Sequence, residues 1–294
     1  VAVYSYNHIG VLPPFNIKSI AMFKKLFKFG GESDFGLSQN VIISVIGFTI
    51  IILIWHFISS FEVIPTKILP GPFKVIASFG TLYNNFNLLP NTWFTVKLNL
   101  LCYVYAILLS FPIGFAIALY PVTNMLIGRY ITAVRFIPMT ALTGLAIAIW
   151  GLTFNMKVWF LTISIMIYII PAVVNKVNEL QNIKNVNDNV YLQTIQTLGA
   201  TNWQKFRHVY FPYVVSGVYD TLRDLLAISY TYVVVAELIY KDGAIFGIGA
   251  LINTMVRQAK MPEAFALLFL IVAIGFLQDL ILKKLGKVLF PYKY

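Results

Sequence analysis

Little in this sequence is charged. Of its 294 residues only 11% are Asp, Glu, Lys or Arg, whereas 59% are hydrophobic. A soluble domain of this length has too little interior to hide so much apolar surface, so lipid is the expected solvent. Carboxylates are scarcest: between residues 40 and 176 the only one is Glu62. Proton relays, two-metal sites and general acid–base catalysis all need convergent acids, and that stretch cannot supply them. The three histidines, His8, His56 and His208, are too far apart in the chain to pair as haem ligands. The single cysteine, Cys102, lies inside an apolar run; it offers neither a disulfide nor a metal cluster and reads as a small core residue. No G-x-x-x-x-G-K-[ST] loop is present, and the glycines at 243, 247 and 249 lack the spacing of a dinucleotide fingerprint. No metal, no cofactor and no catalysis by this chain are expected. Repeats of fixed period and low-complexity tracts are also missing. The first apolar run begins near Val41, so a cleavable leader is not expected.

What the sequence does have is long apolar runs. Segments of roughly 17 to 25 apolar residues cross a bilayer as helices. Six are present, at residues 41–58, 98–119, 136–152, 158–174, 227–239 (with a more polar lead-in from Tyr213) and 264–282. Asp220, Arg223 and Asp224 make that lead-in polar; Asp220 and Arg223, three apart on one helix face, are expected to pair. Residues 65–89 carry prolines and a short amphipathic pattern and are expected to form a surface helix. Pro112, Pro138 and Pro171 fall within or beside runs, where each either opens a kink beside a cavity or simply packs.

The net charge of +11 comes from basic residues placed between and beside the apolar runs, not along one stripe. That pattern fits lipid headgroups and topology and points away from nucleic acid. Six spans put both termini on one side, the side of Lys24, Lys25, Lys28, Arg129, Arg135, Lys176, Lys184, Lys205, Arg207, Lys283, Lys284 and Lys287. This is the expected cytoplasmic face. Residues 1–39 then form a basic cytoplasmic arm, and residues 40–294 one transmembrane domain. Glu237 and Asp279 are expected near opposite membrane surfaces, within reach of water.

Between the fourth and fifth runs lies QTIQTLGATNWQKFRHVYFP, residues 193–212. Tyr191, Ile195 and Leu198 fall at helical spacing and form a narrow apolar stripe; Gln193, Thr194, Gln196 and Thr197 are uncharged. Gly199 follows where a left-handed residue would end the helix. Thr201 and Gln204 have the spacing of a capping box that starts a second helix. That helix carries Trp203, Phe206 and Tyr210, and Pro212 either ends it or enters the next span. The residues allow a helix lying on headgroups or one docked on protein. The neutral, small-residue face suits the second.

This stretch resembles the cytoplasmic loop of binding-protein-dependent ABC transporter permeases, in which Glu-Ala-Ala is followed after three residues by Gly, and nine residues later by Ile, one residue and Leu-Pro. Here Gly199 is followed after nine residues by Val209, Tyr210, Phe211 and Pro212, and Leu198, Ala200, Trp203 and Gln204 also resemble the family. The resemblance covers roughly residues 65–291. ILPGPFKVI, RFIPMTALTGLAIAIWG and VVVAELIY with FGIGALI are similar, in order, to segments of the nitrate, taurine and alkanesulfonate branch. Gln193, Thr194 and Ile195 stand in place of Glu-Ala-Ala, so the acidic contact of that motif is missing.

The resemblance implies an all-α integral membrane fold of the type I importer kind, with six transmembrane helices and a cytoplasmic coupling helix in loop 187–212. It implies a prokaryotic inner membrane and four kinds of partner. These are a cytosolic ATP-binding subunit, a second permease copy or close paralogue, an extracytoplasmic substrate-binding protein and membrane lipid. The substrate class it implies is a small anion such as nitrate, a sulfonate or bicarbonate. ATP hydrolysis would belong to the separate subunit. Glu237, Gly247, Gly249 and Lys97 are the candidates for a pathway or gate. A secondary transporter would instead need acids or broken helices near mid-membrane, and an electron-transfer anchor would need facing histidines.

Overall fold

The computed structural model describes residues 37–182, 186–239 and 247–293. Most of the expected N-terminal arm therefore lies outside the described residues. The chain divides into two units, one ending at Phe61 and one beginning at Glu62. In the first, helix α1 (Leu37–Ser60) is apolar on every side; Ile43, Phe48, Ile51 and Phe57 point in different directions and are all exposed. A helix with no polar face belongs in lipid.

The second unit begins with α2 (Pro72–Asn85), which starts at Pro72 after the extended Gly71. Its 14 residues are too few to cross a bilayer. It buries Val75, Ser78 and Leu82, and the Ser78 hydroxyl bonds the Pro262 carbonyl. This is the helix expected within residues 65–89.

The core is built on three long helices: α3 (Leu88–Leu119), α6 (Phe154–Gln181) and α9 (Phe211–Leu238). One cluster joins Leu98 and Cys102 of α3 to Met156, Val158 and Leu161 of α6 and to Val233 and Ala236 of α9. A second joins Phe115 and Ala118 of α3 to Val173 and Val177 of α6 and to Val214 and Val218 of α9. Early α3 thus meets early α6 and late α9, so α3 and α6 run parallel and α9 runs against both. α3 and α6 lie close at Gly114, where an added Cβ would come within 2.7 Å of the Val173 side chain. Small residues permit such backbone approach between membrane helices.

Because α3 and α6 are parallel, the chain between them must return across the same thickness. It does so as two arms, α4 (Pro121–Phe136) and α5 (Met139–Trp150), bent by 91°. The run at 136–152 was expected as one helix, and the structure breaks it at Ile137 and Pro138. Proline lacks an N–H and pushes its predecessor out of the α region; Ile137 accordingly has φ −70° and ψ 120°. α4 is itself irregular, with a π turn at Asn124–Gly128 and a 3₁₀ turn at Ala133–Phe136. Pro112 and Pro171, by contrast, sit inside continuous helices.

After α6 come the short α7 (Val186–Thr197) and α8 (Asn202–Lys205), then a π turn at Phe206–Tyr210 that leads without a break into α9. Two further helices follow, α10 (Ile248–Arg257) and α11 (Met261–Leu289). α11 runs against α9: the Tyr219 hydroxyl bonds the Leu282 carbonyl, and Arg223 holds Asp279 at 2.8–3.1 Å through three hydrogen bonds. The expected pairing of Asp220 with Arg223 is corrected here. Arg223 reaches across to Asp279, and Asp220 takes Lys293 at 2.7 Å. A long side chain near a helix crossing finds a better-aligned partner on the neighbouring helix than one turn along its own.

Among the described residues, four helices are long and apolar enough to cross a membrane: α1, α3, α6 and α11, with α4 and α5 a fifth if counted together. The protein is an all-helical, multi-pass membrane protein. α9 is 28 residues long, about 42 Å, but Asp220, Arg223, Asp224 and Glu237 make it more polar than the rest.

The Gly114 contact has a direct test. Gly114→Leu should force α3 from α6 and cost about 1–3 kcal/mol, the usual penalty of overpacking. Gly80→Ala serves as control, since nothing lies within 4 Å of a Cβ there. Thermal unfolding of the purified protein should drop for the first and stay or rise slightly for the second.

Candidate functional site

Two local structures stand out, one at each end of α9. The first is the helix pair between α6 and α9. α7 ends in a full left-handed cap: Gly199 has φ +70°, its N–H bonds the Gln196 carbonyl at 3.0 Å, and the Ala200 N–H bonds the Ile195 carbonyl at 3.2 Å. Thr201 then starts α8 with the expected capping box, its hydroxyl accepting from the Gln204 N–H and the Gln204 side chain accepting from the Thr201 N–H. Pro212 falls in the first turn of α9. Its missing N–H leaves the preceding turn without one i→i−4 bond, and that turn relaxes to a π geometry.

The apolar stripe of α7 differs from the expected one. Leu192 and Ile195 pack with Leu180, Val209 and Tyr213, whereas Tyr191 and Leu198 are 66% and 78% exposed. The buried face is set by where α6 ends and where the π turn presents Val209, which rotates the stripe by about one residue. Gln193 and Thr194 are exposed too. The Thr194 and Thr197 hydroxyls bond their own helix at 2.8 Å, so the outer face offers neutral amides, methyls and one leucine.

Trp203, 67% exposed, starts an aromatic chain that runs into the core. It stacks on Phe206 at 5.5 Å, and Phe206 meets the edge of Phe115 of α3 at 5.1 Å. These rings line a cleft of about 750 Å³ with Phe111, Gln196 and Lys205. Ring contacts thus connect Trp203 to α3.

The second structure is at the other end of α9. Glu237 is fully buried, contrary to the expectation that water reaches it. Its Oε1 accepts from the Thr95 hydroxyl at 2.7 Å and its Oε2 from the Gly249 N–H at 2.8 Å. The Thr95 oxygen in turn accepts from the Ile248 N–H at 2.8 Å, and Asn91 Oδ1 from the Gly247 N–H at 2.9 Å. The first N–H groups of α10, which have no partner inside their own helix, are thus capped by side chains of α3 and α9. The negative charge also lies at the positive end of the α10 dipole.

Gly247 has φ +100°, and a Cβ there would lie 2.2 Å from the Glu237 carboxyl carbon; a Cβ on Gly249 would lie 2.7 Å from the Val234 carbonyl. Both glycines are required by this close approach. Lys157 of α6, only 9% exposed, sits over the Phe94 ring at 5.6 Å.

The structure therefore brings Glu237, Gly247 and Gly249 together and leaves Lys97 exposed on α3, outside the cluster. Sequence reasoning missed Asn91, Thr95 and Lys157. The readable signal was the four-residue spacing of Asn91, Thr95 and Asn99, a polar stripe on an apolar helix. Asp279, the other acid expected near an interface, is half-exposed and held by Arg223.

Thr95→Val keeps the shape but removes a donor to Glu237 and an acceptor for Ile248. Leaving buried groups unpartnered costs about 1–3 kcal/mol each. Hydrogen exchange at the amides of 247–249 should accelerate in this variant and stay unchanged in Thr92→Val, whose hydroxyl bonds only its own helix. Equal protection in both would show that the cap is not what holds α10.

No protein-family model matches the chain. It is 23% identical to the taurine transport system permease protein TauC of Escherichia coli (strain K12), over 87% of this chain and 91% of that protein. It is 24% identical to the formylaminopyrimidine transport permease protein ThiX of Halalkalibacterium halodurans, over 84% and 94%. A Brucella melitensis biotype 1 protein described as a "probable ABC transporter permease protein" is 26% identical over 74% and 84%. These matches run through the capped helix pair and the spans on either side. In its sequence the chain is similar to ABC transporter permeases, in the branch that includes the taurine permease.

Proposed function

We propose that this chain is the membrane-spanning subunit of an ABC importer, hydrolysing nothing itself and coupling a substrate pathway to a cytosolic ATPase. The observation that carries the reading is the capped pair α7–α8. It projects at one end of the spans, with a neutral outer face and with Trp203 linked by rings to α3. Residues 187–212 are the coupling loop in this reading. Gln193, Thr194, Ile195, Leu198, Gly199, Ala200 and Trp203 shape the docking surface, and Pro212 joins it to α9. Gln-Thr-Ile in place of Glu-Ala-Ala calls for an ATPase groove that accepts a neutral helix.

The topology proposed is six crossings: α1, α3, the bent α4–α5, α6, α9 and α11. Parallel α3 and α6 support it, because they require a crossing between them. Arg129, Arg135, Lys176, Lys205, Arg207, Lys283, Lys284, Lys287 and Lys293 then share one end, against Lys67, Lys74, Lys157, Arg257 and Lys260 at the other. By the positive-inside rule that end is cytoplasmic, with both termini and a basic arm of residues 1–39. The membrane is a prokaryotic inner membrane. The further partners are a second permease copy, an extracytoplasmic substrate-binding protein and lipid. A small anion is the substrate class, supported by the lack of carboxylates between residues 62 and 179. Glu237, Gly247 and Gly249 form the outer gate region, held shut or open by how α10 is capped.

Two experiments test this. Cysteines placed singly in a Cys102→Ala background should react with an impermeant thiol reagent in intact cells at position 67 and not at position 205. Labelling of position 205 from outside would overturn the topology. Gly199→Val places a Cβ in the left-handed region, at about 1–2 kcal/mol. It should re-aim α8 and weaken ATPase capture and uptake while expression stays near normal. Unchanged capture with unchanged uptake refutes the coupling role, and uptake that needs no ATPase would point to a secondary transporter or another membrane subunit.

A further inference from the structure

The break at Ile137 and Pro138 leaves irregular backbone between α4 and α5. Such backbone is tolerated at membrane depth where it is buried in protein or lines a cavity. A cavity is present beside it, of about 280 Å³, lined by Arg135 of α4, by Tyr168, Asn175, Lys176 and Glu179 of α6, and by Thr221 of α9. Along α6 it extends from Tyr168 to Glu179, about 16 Å. The adjoining face of α6, with Ile169, Val173 and Val177, is buried in the core, and Tyr168 packs at its edge. α6 therefore carries a polar stripe on the side facing the broken span, an arrangement that marks a pathway in a membrane protein.

The charges in this cavity are unequally satisfied. Glu179 is occupied twice, by Lys176 at 2.8 Å and by the Tyr213 hydroxyl at 3.4 Å. The Tyr168 hydroxyl meets that of Tyr232 at 3.3 Å. Arg135 donates its Nε–H to the Thr132 carbonyl of its own turn at 3.3 Å. Among the described residues no carboxylate forms an ion pair with it. A guanidinium offers a planar fork matched to two oxygens of one oxyanion, and among the described residues the fork has no such partner.

We propose that this cavity is a transit site for a small oxyanion, a carboxylate or sulfonate, bound by the Arg135 guanidinium with Asn175 and Thr221 as hydrogen-bonding neighbours. The site rests on the reading of the chain as a permease for small anions and gives that reading a charged contact on the cavity wall, which Lys97 does not line. The volume suits a metabolite of a few heavy atoms, being below the range of drug-sized pockets. The broken helix lets Arg135 approach α6 and α9 where a straight helix would carry it past them.

A lipid headgroup phosphate has the same chemistry, and the test separates the two sources. A Thr221→Cys reporter in the Cys102→Ala background is placed in nanodiscs of phosphatidylcholine alone. It is modified by 2-sulfonatoethyl methanethiosulfonate, an anion, or by its trimethylammonioethyl counterpart, a cation. The anionic reagent should be favoured, and Arg135→Gln should reduce that preference by about tenfold, as expected for one nearby charge in a half-wet site. Arg135→Lys, which keeps the charge, should retain most of it. Methanesulfonate should slow the modification with Arg135 in place and have no effect in Arg135→Gln. A preference indifferent to residue 135, or no protection by methanesulfonate, overturns the site. Protection by phosphatidylglycerol but not by methanesulfonate assigns the cavity to lipid and overturns it equally. None of these rates involves an ATPase, so the site stands or falls separately from the importer reading, which ATP-dependent uptake tests.

Discussion

The parallel packing of α3 on α6 is the constraint from which the rest of the second unit follows. Two helices of about the membrane's thickness meet along their length, brought close by the absence of a side chain at Gly114. Since they point the same way, the chain between them has to return, and it does so through a segment that proline prevents from being one helix. α9 then fills the groove in the opposite direction, which places Phe211 beside the end of α3 and Glu237 beside its beginning. Both candidate sites are thus the two ends of one helix, held in register by the same core.

Each end is fastened to α3 by a different kind of interaction. At one, aromatic edges and faces link Trp203 through Phe206 to Phe115. At the other, short hydrogen bonds join Asn91 and Thr95 to the start of α10 and to Glu237. Those bonds are directional and buried, and they are lost all at once if the helices separate.

Much of this was legible in the sequence where the signal is local. The capping box at Thr201 and Gln204 and the left-handed Gly199 depend on residues within one turn, and both form as the spacing dictates. Apolar runs located the spans but clipped them. α3 begins ten residues before the expected 98, because Asn91 and Thr95 are polar yet internal to the helix. α6 begins after Thr153, whose hydroxyl caps the Met156 N–H, a signal that hydropathy does not contain. What could not be read was tertiary. The burial of Glu237, the partner choice of Arg223 and the face that α7 turns inward all depend on which helix lies alongside. Pro138 was visible, but whether a proline breaks a span or is absorbed, as Pro112 and Pro171 are, depends on the packing around it.

The cross-helix cap of α10 also has a chronological side. Every side chain that satisfies its first N–H groups, Asn91, Thr95 and Glu237, precedes Gly247 in the chain. When the segment containing α10 leaves the ribosome, its acceptors have already been made. They form one site only if α3 and α9 have come together within the bilayer. The ordering of α10 therefore reports that α3 and α9 have already come together.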